Sequence, residues 1–179
     1  MLTQKELKQW LQYSPLVGTF EWIKKGRRVQ LLSLAGAVDR KSGYITIGLR
    51  GKTYRAHHLA WLYMTGELPT MDIDHKDGDK TNNAFSNLRL ATKSQNCWNS
   101  KNFCTSSSGI KGVLYDKNAK KWRAVLSIYN KKVHIGLFKT KEEAEEAVKA
   151  KREEMHGDFA NHGVHKYVLE DMDGDVITS

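Results

Sequence analysis

Apolar and polar positions alternate along this chain in two rhythms, one helical and one strand-like, and the switches between them mark out the elements. Leu7, Trp10, Leu11 and Tyr13 have roughly helical spacing in an opening segment that ends before Pro15, and Gly18 then introduces a β-like stretch from Thr19 to Ile23. Beyond a basic stretch, Lys24 to Arg28, and Gly36, the segments GYITIGLR and KTYRAH alternate branched and polar residues on either side of a Gly51 turn, which predicts a hairpin. From His58 to Thr65, HLAWLYMT places Leu59, Leu62 and Tyr63 at i, i+3 and i+4 before Gly66 and Pro69, the pattern of a short amphipathic helix.

The order that follows is strand, loop, strand, helix: MDID, the turn-rich HKDGDKTNNAFS, NLRLA, and TKSQNCWNSK, where Thr92 and Gln95 form a capping-box pattern. A small polar run, Thr105 to Ser108, precedes Gly109 and suggests a domain boundary near residue 104. A second unit then reads as three strands (GIKGVLYD, KWRAVLSIY and KVHIGLF, joined by KNAK and NK turns) and a Thr140-capped helix ending before Gly157. The expected class is α+β.

Charge changes the picture. The 179 residues carry a formal net charge of +9 with 27% charged and 40% apolar residues, enough for one medium core or two small ones and a field that attracts polyanions. Residues 1 to 106 hold 16 Lys and Arg against 8 Asp and Glu, 107 to 141 hold 9 against 1, and 142 to 179 hold 4 against 11. Two basic working regions therefore precede an acidic segment facing solvent. Cys97 and Cys104 are too few for a disulfide framework and lack CxxC pairs, which suits a reducing cytosol. The N-terminus has charges where a signal peptide needs an apolar core, so neither secretion nor membrane insertion is expected. The expected location is cytoplasmic, the host cytosol if the chain is phage-encoded.

The chemistry concentrates in DIDHKDGDKTNNAFSNLRLATKSQN. Phosphodiester hydrolysis needs an activated water, a cation to neutralise charge growing on the phosphate, and stabilisation of the leaving 3′ oxygen. His75 is placed to take a proton near neutral pH, and Asp74 offers an oxygen of the kind Mg²⁺ or Mn²⁺ prefers. Asn96, one turn beyond Thr92, offers a second oxygen. Asp and Asn clusters such as DGDKTNN also simply make turns. An EF-hand is excluded, because counting from Asp72 puts Lys76 at the fifth position and Asn83 at the twelfth, where glutamate belongs.

Taken together, DH, DGDKTNN, NLRLAT and SQN resemble the HNH (ββα-metal) homing and phage endonucleases, and the resemblance reaches upstream to AHHLAW. It implies a ββα-metal nuclease unit with an N-terminal β-rich extension, Asp74 and Asn96 holding one divalent metal, Mg²⁺ with Mn²⁺ as the alternative, and His75 as general base. The family's central asparagine, which orients the base through its loop contacts, maps onto Asn87, with Asn83 as the alternative. Asn96 stands where the family name expects a final histidine, a variant of the oxygen-ligand branch. His57 matches a recurrent family histidine that contacts phosphate or braces the loop; His58 stands where relatives often carry arginine.

GVLYD, KKWRAVLSI and HIGLFKTKEEAEEAV make residues 109 to 160 resemble the Apetala-type, ethylene-response-factor DNA-binding domain. That resemblance implies a small three-stranded antiparallel sheet, packed on one helix, laying a polar face of Lys111, Tyr115, Lys121, Arg123, Ser127, Tyr129, Lys132 and His134 in a DNA groove. Val113, Trp122, Ala124, Leu126 and Ile128 would pack inward. Leu114 stands where arginine is frequent, which points to modest base specificity.

The expected organisation is an endonuclease domain over 1–104, with its ββα core at about 56–102, a DNA-reading domain over 105–162 and an acidic tail over 163–179. Arg27 and Arg28 would add phosphate contacts. The partner is double-stranded DNA, with no organic cofactor and no membrane, and a monomer with one such site favours nicking. Two rival classes share the charge: a non-catalytic DNA-binding regulator on an HNH scaffold, and an RNA-binding structural protein.

Overall fold

Thr3 caps the first helix: its hydroxyl accepts from Glu6 N while Glu6 reaches back to Thr3 N, satisfying two donors that a helix start leaves orphaned. In the computed structural model, which describes residues 2–25, 30–99, 108–128 and 131–163, this helix, α1, spans Gln4–Trp10 and stops there because Leu11 is already extended, at φ −131°. The helical rhythm expected through Tyr13 is thus broken. Leu11 and Tyr13 face inward from a strand, β1 (Leu11–Ser14), antiparallel to β2 (Thr19–Trp22), with Leu11 opposite Trp22 and Tyr13 opposite Phe20. Cross-strand pairing overrides the i, i+4 spacing because both rhythms bury the same residues.

The expected hairpin is present. β4 (Ile45–Leu49) pairs with β5 (Lys52–Arg55) and, on its other edge, with the two-residue β3 (Ala37–Val38). The chain passes directly from Arg55 into α2 (Ala56–Thr65), which ends at a left-handed Gly66, φ +87°. Then β6 (Asp72–His75) and β7 (Leu88–Ala91) form an antiparallel pair, preceded at Phe85–Asn87 by one 3-10 turn, and α3 spans Lys93–Trp98. One apolar core gathers Leu7, Leu11, Phe20, Ile47 and Leu59, and Ile73 and Leu88 tie the β6–β7 pair into it.

The chain divides into two compact units that part between Lys93 and Ser94. The second contains β8 (Val113–Asp116), β9 (Lys121–Ile128) and β10 (Lys131–Phe138), an antiparallel sheet with β9 in the middle, and α4 (Lys141–His156), capped by Thr140 and Glu143. Ala144 and Val148 of α4 meet Val113 and Ala124 of the sheet in its core. The separation falls upstream of the polar run at Thr105 for a physical reason. Trp98 of α3 stacks flat on His156 of α4, ring centroids 4.3 Å apart; the Lys111 ammonium donates to Trp98 O; and Asn161 donates to Asn99 O. Among the described residues no helix is long and apolar enough to cross a membrane.

Candidate active site

β6 presents Asp74 and His75 on opposite faces of a two-residue step, yet both are only 4% exposed because β7 and the following loop fold over them. Asp74 lies directly opposite Arg89, whose Nε donates to Oδ2 at 2.8 Å and whose Nη2 lies 2.7 Å from the same oxygen. Both contacts converge on one carboxylate oxygen and fix the side chain against the guanidinium.

The DGDKTNN loop makes turns, and those turns build the site. Asp77 Oδ1 accepts from Asp79 N and Asn87 Nδ2, Asp79 Oδ1 accepts from Thr81 N, and Asn82 Nδ2 donates to Asp77 Oδ2. Their product is the placement of Asn83, 1% exposed, whose Oδ1 lies 3.1 Å from His75 Nε2 while its Nδ2 donates to Thr81 O at 3.0 Å. Because the Nδ2 bond to a carbonyl fixes which end of the amide is oxygen, Oδ1 accepts, and His75 Nε2 carries the proton. The hydrogen bond thus fixes which ring nitrogen faces Asn83.

Asn87, expected to orient the base, accepts from Asp77 N through Oδ1 and donates from Nδ2 to Asp77 Oδ1 and Asn82 O. It braces the loop, and the asparagine bonded to His75 is the alternative, Asn83. Tyr13 donates to Asn83 O at 2.6 Å, Phe85 N bonds Pro15 O, and Gly18 packs so tightly that an added Cβ would lie 2.2 Å from Ala84 N. The β1–β2 turn is thus a buttress beneath the asparagine.

His57 packs edge-to-face against the His75 ring, centroids 5.0 Å apart at 85°, and against His58 at 4.6 Å and 89°. It is 2% exposed, and among the described residues its Nδ1 has no hydrogen-bond partner. Burial, with smaller contributions from His58, His75 and Arg55, pushes its pKa down to about 2, so the ring stays neutral. Tyr44 packs against both, 4.9 Å from His57 and 5.9 Å from His75.

Asn96 sits half-buried on α3, in the second unit, whereas Asp74 belongs to the first. As donors, a carboxylate and an amide oxygen fit a hard divalent cation. Among the described residues no group of three or more His, Cys, Asp or Glu side chains gathers as a cage.

In the second unit, register decides the face. Arg123 lies opposite Leu114 and Leu137, Lys121 opposite Asp116, Val125 opposite His134 and Ser127 opposite Lys132, so Lys121, Arg123, Ser127, Lys132 and His134 share one side of the sheet as expected. Asp116 and the apolar Leu114, Val125 and Leu137 interleave with them, and Arg123 Nη1 lies 3.8 Å from Asp116. Two residues assigned to this face are elsewhere. Tyr115 pairs with Trp122, its ring 5.1 Å away, on the side of Val113 and Ala124, because alternation from Val113 returns it there. Lys111 precedes β8 and spends its ammonium on the Trp98 and Asn161 carbonyls. Trp122 packs partly buried against the core, as expected. Arg27, Arg28 and Tyr129 lie outside the described residues.

Sequence reasoning missed Arg89, Tyr13, Tyr44 and the contact of His57 with His75. Arg89 was available from register, since NLRLA must pair with MDID; the tyrosines, far away in sequence, left no local signal.

A family model for HNH endonucleases matches residues 54–97, which include β6, the loop, β7 and most of α3. Protein 3.8 of Escherichia phage T7 is 34% identical over 112 residues, 61% of this chain and 90% of that protein. The chain belongs to the HNH endonuclease family. Other HNH relatives are the endonuclease L560 of Acanthamoeba polyphaga mimivirus, 35% identical over 124 residues (67% of this chain, 62% of that one), and the DNA endonuclease I-HmuI of Bacillus phage SP01, 41% identical over 64 residues (33% and 37%). The chain spans less than two thirds of the length of these two. A solved structure of the HNH homing endonuclease I-HmuI, described as DNA binding and cleavage, aligns with a TM-score of 0.41 and 25% identity over 82% of this chain and 85% of that one. Nuclease activity is thus supported by family, and HNH nucleases generally use a divalent metal.

Proposed function

We propose that this protein is a metal-dependent DNA endonuclease of phage or homing type that nicks one strand by hydrolysis, leaving a 5′ phosphate. The observation that carries the reading is the His75 Nε2 to Asn83 Oδ1 hydrogen bond in a buried setting, which fixes the orientation of the imidazole.

His75 Nδ1 takes the proton of the attacking water, and Asn83 holds the ring so that the proton is received without reorientation. Neutral His57, packed perpendicular to it, restricts the imidazole further. By the sequence resemblance, Asp74 and Asn96 would hold the divalent cation, Mg²⁺ or Mn²⁺. When bound, it neutralises charge on the phosphate and the leaving 3′ oxygen. Arg89 keeps the Asp74 carboxylate aimed.

The second unit serves as an Apetala-type reading module, with Lys121, Arg123, Lys132 and His134 gripping phosphates and Ser127 beside them. Asp116, Leu114 and Leu137 on the same face favour modest base discrimination. Tethering raises the effective concentration of the nuclease unit at DNA.

The test is conversion of supercoiled plasmid to open circle with Mg²⁺ or EDTA, beside His75→Ala, Asp74→Ala and Asn96→Ala. Nicking that needs metal and vanishes in these variants while duplex binding persists supports the mechanism; tight binding without cleavage in either metal transfers the protein to a regulator class.

A further inference from the structure

Next to His75, and unused by the mechanism above, three segments remote in sequence bring two cations onto one aromatic ring. Tyr44, immediately before β4, has the Arg55 guanidinium carbon 4.8 Å from its ring centroid and the Lys80 ammonium 4.8 Å from the same centroid. The ring in turn lies 5.9 Å from the His75 ring. Arg55 ends β5 and Lys80 closes the DGDK turn, and both are exposed while Tyr44 is half-buried.

The cluster is built, not incidental. Lys80 Nζ donates to Ser42 O at 2.9 Å, and its stem passes over Gly43, where an added Cβ would only just touch Lys80 Cδ, at 3.5 Å. A single acceptor leaves an ammonium further donors to offer. The nearby acids are committed within their own turns. Asp39 is held below the ordinary carboxylate range by hydrogen bonds from Ser42 Oγ and the Lys41 and Ser42 amides, with Arg55 adding to them, while Asp77 and Asp79 accept from the loop backbone. Neighbouring His57 is neutral, so the positive charge is that of Arg55 and Lys80.

Two like charges beside one ring repel, and an anion bound near both relieves that repulsion. A DNA strand carries one phosphate per about 3.4 Å of helix axis, so a strand with one phosphate at His75 brings the next within reach of cations one ring away. We propose that Tyr44, Arg55 and Lys80 seat a backbone phosphate of the bound DNA strand adjacent to the one hydrolysed at His75. Which phosphate is cut rests on the nuclease reading; the grip on DNA does not.

The experiment measures binding of the full chain to a short duplex in EDTA across a salt series, then single-turnover nicking with Mg²⁺. Arg55→Gln and Lys80→Gln should each lower the slope of log affinity against log salt by about 1, and the double variant by about 2, with Lys80→Arg restoring the wild-type slope. Lys5→Gln, an exposed cation on α1, should leave it unchanged. In nicking, the protein concentration for half-maximal rate should rise several-fold, with the saturating rate within about threefold of wild type, because this grip is equal in ground and transition states. A double variant that melts like wild type yet keeps both the slope and the half-maximal concentration overturns the proposal. A wild type that binds with these slopes but cuts nothing sinks the nuclease reading and leaves the phosphate seat standing.

Discussion

His75 Nε2 and Asn83 Oδ1 lie 3.1 Å apart at a site sealed from solvent, and the asparagine is itself clamped by Tyr13 from β1 and by Thr81 from its own loop. The His75 ring is thereby assigned its tautomer by a residue eight positions downstream and its rigidity by one at the opposite end of the unit.

Asn83→Ala should cost about 1–3 kcal/mol of stability, because it leaves the His75 N–H buried without its acceptor. Nicking should fall on the order of 10–100-fold through the loss of orientation. Asn83→Asp should retain the contact and raise the basicity of His75, moving the acidic limb of the pH–rate profile upward. Urea melts and single-turnover rates between pH 5 and 9 check both, and an unmoved limb in Asn83→Asp would remove Asn83 from the proton-transfer pathway.

Arg89→Ala should be among the most destabilising single changes in the first unit, roughly 3 kcal/mol or more, since it strands the Asp74 carboxylate at 4% exposure without its guanidinium. Arg89→Ala combined with Asp74→Ala should recover part of that loss. Chemical denaturation of the two variants measures the recovery.

His57 should make the fold acid-sensitive. Its folded pKa of about 2 lies far below the unfolded value near 6.5, so the unfolded chain binds a proton that the folded chain refuses. Its contribution is therefore complete above about pH 6.5 and falls as pH drops, by up to about 1.4 kcal/mol per unit. In His57→Phe the decline between pH 6.5 and 4.5 should flatten, read from urea midpoints; an identical slope in wild type and variant would assign the acid loss to other groups.

Gly18→Ala should weaken both stability and cutting, although Gly18 carries no functional group. The position has φ +81° and an added methyl carbon would meet Ala84 N at 2.2 Å, so strain of about 1–3 kcal/mol is expected, directed onto the segment that carries Asn83. Melting temperature and nicking rate should fall together.

Period and punctuation made most elements legible: the β4–β5 hairpin, α2, the strand–loop–strand order around His75, and the three-strand-plus-helix second unit. Where the reading failed, two physical rules competed over the same residues. Leu11 and Tyr13 satisfy a helical spacing and a strand alternation at once, and only the partner strand decides. Tyr115 looks outward in a list of polar residues, but its place opposite Trp122 follows from register, which depends on turn geometry. Asp74 and His75 were readable because their chemistry is local. Tyr13, Tyr44 and Arg55 were not, because their roles exist only after distant segments fold together.

The seam between the units carries one more implication. The family match runs to residue 97 while the units part at Lys93 and Ser94, and Trp98, which ends α3, has its stacking partner on the last turn of α4. A fragment cut at the polar run near residue 104 would keep the motif's letters and lose the aromatic platform beneath its final helix. Any segment that replaced the residues beyond that junction would have to supply a ring for Trp98 to stack on.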